Sequence, residues 1–102
     1  MSLYEISHDA EQDLQEIISY TTDNYGIAKM AEYVNGLEQC TESIAKKQGH
    51  YREVDVNNKI VRVKHCQHHY IFGLVRQDLP LLVIAVFHER MDLMKRLSNR
   101  LS

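Results

Sequence analysis

Leu81-Leu82-Val83-Ile84-Ala85-Val86-Phe87-His88 is the stretch on which the fold turns. Seven apolar residues in a row end at a histidine. A run this short and this apolar suits a strand inside a sheet, covered by helices on at least one face. Working outward, Gln77-Asp78-Leu79-Pro80 is a turn, and His69 to Arg76 is a second strand before it. Ile60 to Lys64 is β-rich, and Val54 and Val56 alternate ahead of the turn residues Asn57-Asn58. Strands linked by turns this short are antiparallel.

Further upstream the apolar period changes from 2 to 3.6. Ala10, Leu14, Ile17, Ile18, Thr21 and Tyr25 form one helical face. Ser7 is placed as the N-cap, with Asp9 and Glu11 in the first turn, where the helix dipole favours anions. Gly26 ends this helix, and a second follows at once on Ile27, Met30, Ala31, Val34, Leu37, Thr41, Ile44 and Ala45. Gly36 sits inside it at a cost of about 1 kcal/mol relative to Ala, which points to a close helix–helix approach. Leu3 to Ile6 alternates like a short strand. Met91 to Leu101 carries Leu93, Met94, Leu97 and Leu101 on one side and Lys95, Arg96 and Arg100 elsewhere, a basic amphipathic helix. The expected fold is α+β in the order β-α-α-β-β-β with a C-terminal helix. The helical hairpin packs on a small antiparallel sheet, in a single domain spanning 1–102.

Composition agrees. At 102 residues with 44% apolar and 25% charged side chains, the chain supports one modest core without disorder. The start of the chain lacks a secretory pattern, and no apolar run approaches the roughly 20 residues of a membrane span. A cytoplasmic setting follows, with Cys40 and Cys66 as free thiols. The net charge of −2 conceals a split. Residues 1–58 hold four basic and eleven acidic side chains, and residues 59–102 hold eight basic and three acidic. Either the second part offers a face to an anionic partner, or the two parts neutralise each other inside the fold.

Few constellations invite chemistry. On a strand, Cys66 and His68 share one face and His65 and His69 the other, so His65-Cys66-Gln67-His68-His69 gives neither face a tetrahedral metal site. No metal and no cofactor are expected, since the four glycines are isolated and form no phosphate loop. Arg62, Lys64, His65, His88 and Arg90 form a basic set near the sheet ends. If the last strands are neighbours, these groups converge into a phosphate-binding or RNA-cleaving site. The other reading is a solvated basic sheet edge that blocks aggregation.

The chain also resembles the ParE branch of the RelE/ParE toxins. Ala10, Asp13, Leu14, Ile17 and Tyr20 are similar to that family's first helix, and Gly26, Ala31, Tyr33 and Leu37 to its second. His69-Tyr70-Ile71-Phe72 is similar to its central strand. Val83 to Leu97, with His88-Glu89-Arg90-Met91-Asp92 after an apolar strand, is similar to its ending. Lys46-Lys47-Gln48-Gly49 departs from the Pro that the family often carries before its Gly. The resemblance implies a toxin of a type II toxin–antitoxin system. It implies inhibition of DNA gyrase by binding, with no catalytic residue, and neutralisation by a ParD-like antitoxin in a hetero-oligomer. No direct DNA binding and no membrane partner are expected. The candidate target-binding residues are Arg62, Lys64, His88, Arg90, Arg96 and Arg100. The related RelE-like toxins cut mRNA on the ribosome, and Arg62, Lys64 and His88 are the candidates for that alternative. The antitoxin is expected on apolar surface left by the hairpin and sheet, shielding part of the basic half.

Overall fold

The computed structural model describes residues 3–101. Met1, Ser2 and Ser102, which the single-domain reading includes, lie outside them. The elements run β1 (Tyr4–Ile6), α1 (His8–Tyr25), α2 (Ile27–Ala45), β2 (Arg52–Val56), β3 (Lys59–Cys66), β4 (His69–Leu74), β5 (Leu81–His88) and α3 (Leu93–Leu101). The α+β class, the helical hairpin and the tail helix are borne out. Local signals set several boundaries. Ser7 Oγ accepts from Ala10 N–H at 3.1 Å and starts α1. Gly26, at φ 90°, ends α1 by donating to Thr22 O and begins α2 by accepting from Met30 N–H. Asn57 and Asn58 both take positive φ, as a two-residue hairpin turn with right-handed twist demands.

The sheet order is β1-β5-β4-β3-β2. Strands β2 to β5 form an antiparallel meander, so β2 adds one strand to the expected string. β1 pairs parallel with β5, with Tyr4 opposite Leu81 and Ile6 opposite Val83. The sheet is therefore mixed. The short-turn argument constrained only β2 to β5, whereas β1 is separated from β5 by most of the chain.

Each sheet face carries its own core. Ile17, Leu37 and Ile44 of the hairpin pack on Ile71, Val83 and Val86. On the opposite face Leu97 of α3, fully buried, packs with Val61, Phe72, Ile84 and Phe87. A bulge serves both. Phe72 faces Ala85 and Gly73 faces Val83, so β5 holds an extra residue that puts Ile84 and Ala85 both toward α3. Gly73 is required here, because a Cβ would lie 2.5 Å from a Leu81 methyl.

β1 stops at Ile6, so the outer edge of β5 is uncovered from Ile84 onward. Two side chains close it. The Asp13 carboxylate of α1 accepts from Val86 N–H at 3.0 Å. Arg100 of α3 donates to Ile84 O at 3.1 Å and to Asp13 at 2.6 and 3.4 Å. Its guanidinium also lies 4.7 Å from the Phe87 ring centre. One ion pair thus joins helices from both faces and satisfies strand-edge groups that otherwise seek another strand.

Two expectations are corrected. Cys40 and Cys66 are not free thiols but form a disulfide between α2 and β3, with Cα atoms 6.4 Å apart. Their separation of 26 residues gave no sign of this, because the pairing depends on where α2 lies on the sheet. Gly36 does permit a close approach, but to the β3–β4 turn and not to the other helix. A Cβ there would sit 2.7 Å from Gln67 Nε2.

Candidate functional site

A groove of about 880 Å³ opens where the hairpin overhangs the ends of β4 and β5. Ile17 and Tyr20 of α1, Tyr33 of α2, His69 of β4 and His88 of β5 line it, with Arg90 at its margin. Tyr20, Tyr25 and Met91 leave exposed apolar surface along it.

The groove wall is held by Tyr33. Its hydroxyl accepts from His68 N–H at 3.0 Å and lies 2.5 Å from His69 Nδ1. With its oxygen already accepting, the Tyr33 hydroxyl donates a hydrogen bond to His69, which makes Nδ1 the acceptor of a neutral ring. The electrostatics agree. Burial first, and then the neighbouring His88 and His68, lower the His69 pKa from 6.5 to about 4. Burial likewise raises the Tyr33 pKa, so the phenol stays protonated. The His88 ring lies edge-on to His69, with centroids 5.2 Å apart, and its Nδ1 accepts from Arg90 N–H at 3.1 Å. At the groove's margin Glu89 accepts from His65 at 2.9 Å and His68 at 3.3 Å, and these hydrogen bonds hold its carboxyl below the usual range. Among the described residues no group of three or more His, Cys, Asp or Glu side chains is placed to hold a metal. His69 and His65 lie on opposite sheet faces, one toward the groove and one stacked on Tyr70 at 4.6 Å.

The six cationic candidates do not converge. Arg62 is only 7% exposed. It donates to Ile44 O at 3.0 Å and to Glu53 at 3.3 Å, tying the end of α2 to β2. Lys64 donates to His50 O at 2.9 Å. His88 is level with Cys66, two strands away, and Arg62 is four residues down β3. That separates Arg62 from His88 by roughly 16 Å. Arg100 is committed to Asp13. Only Arg90 and Arg96 of the six are exposed and, among the described residues, pair with no carboxylate.

The charge split is therefore partly internal. Each Arg–carboxylate pair among the described residues (Glu53–Arg62, Glu5–Arg76, Asp9–Arg100, Asp13–Arg100) joins the acidic part to the basic part. Besides Lys59, the exposed cations of the basic part outside these pairs lie in the segment after β5, where Arg90, Met91, Met94, Lys95 and Arg96 are all exposed. Sequence reasoning missed Asp13 as a clamp and Tyr33 as the groove's anchor. An acidic residue on an apolar helix face was the one legible signal, and it applied only to Asp13.

Comparison with known proteins identifies the scaffold. The model of the family described as "ParE toxin of type II toxin-antitoxin system, parDE" matches residues 4–93. The chain belongs to the ParE toxin family. A curated relative, Toxin ParE of Escherichia coli, is 41% identical over 101 residues, covering 99% of this chain and 98% of that protein. The ParE family match ends at Leu93, where α3 begins, whereas the match to the relative takes in 99% of this chain. No helix among the described residues is long and apolar enough to cross a membrane.

Proposed function

We propose that this ParE-family toxin inhibits DNA gyrase by binding and is held inactive by a ParD-like antitoxin in the cytoplasm. The observation that carries the reading is the similarity to Toxin ParE along nearly the full length of both proteins. Among the described residues no buried side-chain nitrogen or oxygen lacks a hydrogen-bond partner, and in the groove Tyr33 and His69 are bound to each other. The mRNA-cleaving alternative gains no support from Arg62, Lys64 and His88, because Arg62 is locked to Ile44 and Glu53 far from His88.

The free cations Arg90 and Arg96, with Lys95, are the contact set for gyrase. The groove, lined by the exposed Tyr20, Tyr25 and Met91, is where an amphipathic antitoxin segment docks. The test is supercoiling by purified gyrase. The chain is expected to suppress it, and R90E/R96E to weaken suppression by roughly tenfold while the fold is unchanged. Full supercoiling at a large molar excess of folded toxin overturns the gyrase reading.

A further inference from the structure

We infer that the Cys40–Cys66 pair is a reversible redox clamp that sets how firmly α2, and with it the groove wall, is held on the sheet. The argument starts from spacing. Tyr33, Gly36 and Cys40 follow at intervals of three and four residues, so they share one face of α2. That face meets the β3–β4 hairpin in three successive contacts. Tyr33 takes Gln67 Nε2–H on its carbonyl at 2.9 Å and reaches His68 and His69 with its hydroxyl. Gly36 lies against the Gln67 amide. Cys40 bonds Cys66. The disulfide is thus the covalent end of a seam whose other end is the wall of the groove.

Both redox states fit this seam. In the reduced state the buried Cys66 thiol has an acceptor waiting, since Gly36 O lies 3.5 Å from its sulfur. A buried polar group with a partner costs little, so reduction leaves no orphan. Access is graded as well. Cys40 is half-buried and Cys66 is 4% exposed, so a small thiol or disulfide reaches Cys40 first. The oxidant is a low-molecular-weight disulfide of the glutathione type. The Cys40 thiolate attacks one of its sulfurs and releases one thiolate. The Cys66 thiolate then attacks the Cys40 sulfur of the mixed disulfide and releases the second. Two electrons and two protons leave the chain, and two small thiols form. Reduced glutathione reverses both steps. In a reducing compartment a protein disulfide is usually transient and redox-sensing, which is the setting placed on this chain by its proposed function.

The experiment uses the full chain in buffers of reduced and oxidised glutathione. Alkylation followed by mass measurement counts free thiols, and amide exchange reports the order of residues 33–41. Oxidised chain should take no label and reduced chain two. Closing a loop of this length should make the unfolding equilibrium on the order of a hundredfold less favourable in the oxidised form. Exchange in 33–41 should accelerate on reduction, and C40S/C66S should match the reduced chain in every buffer. If the double variant fails to fold, the wild-type chain with dithiothreitol supplies the same comparison. Three results overturn the inference. These are thiols that stay free in excess oxidised glutathione, a bond that resists a large excess of reduced glutathione, and exchange in 33–41 that is the same in both states. None of these touches the gyrase reading, which is tested by supercoiling.

Discussion

The two faces of the sheet are covered unequally. The hairpin face carries helices of 18 and 19 residues, a disulfide and the Tyr33 network. The tail face carries one helix of nine residues, held by Leu97 and by the Arg100 clamp. Arg62 under the end of α2 and Arg100 at the clamp are built into the scaffold, while Arg90, Lys95 and Arg96, leading into α3, are exposed and, among the described residues, in no ion pair. A short helix resting on one buried leucine also detaches more readily than two long ones that share a core.

Emptying the tail face has the largest expected effect. Leu97→Ala should cost about 3 kcal/mol, measured by denaturant unfolding. It should also raise protease sensitivity in α3 while amide protection in α1 and α2 persists. Uniform loss of protection on both faces would show that the faces do not differ. Asp13→Ala comes next, at about 2 kcal/mol, because it strands Arg100 and removes the acceptor of Val86 N–H. A cycle with Arg100→Ala should show the two losses to be less than additive.

A third prediction concerns the hairpin face and acid. His69 takes a proton at 6.5 when unfolded and only near 4 when folded. The unfolded state therefore binds more protons in that window, and stability is lost as pH falls from 6.5 toward 4. His69→Gln keeps an acceptor for Tyr33 and should flatten part of this fall in pH-dependent melting. The smallest effect on stability belongs to R90E/R96E, within about 0.5 kcal/mol, because both side chains are exposed and, among the described residues, pair with no carboxylate. If that variant instead melts well below wild type, the free segment is part of the scaffold.

Much of the fold is legible in the chain. The Ser7 cap, the Gly26 junction, the Asn57-Asn58 turn and the apolar run at Leu81 are local signals, and each element forms where they place it. The tail helix begins at Leu93, two residues later than its apolar pattern suggests. Asp92 supplies the reason by accepting from Lys95 N–H at 3.4 Å, as an N-cap does. The site was less legible. Arg62 and Lys64 share a strand face as expected, but that face is occupied by the end of α2 and the His50 carbonyl.

The sequence by itself determined the periods, the caps and the turns, because these depend on residues within a few positions of one another. It also held the opposed charges of the two parts, though not their use. The tertiary structure decided which cations are spent and which are free, since Glu53, Asp13 and Glu5 meet their arginines only once strands and helices are docked. It decided the parallel edge strand and the Cys40–Cys66 bond for the same reason. Register between distant segments is set by packing, and no local pattern encodes it.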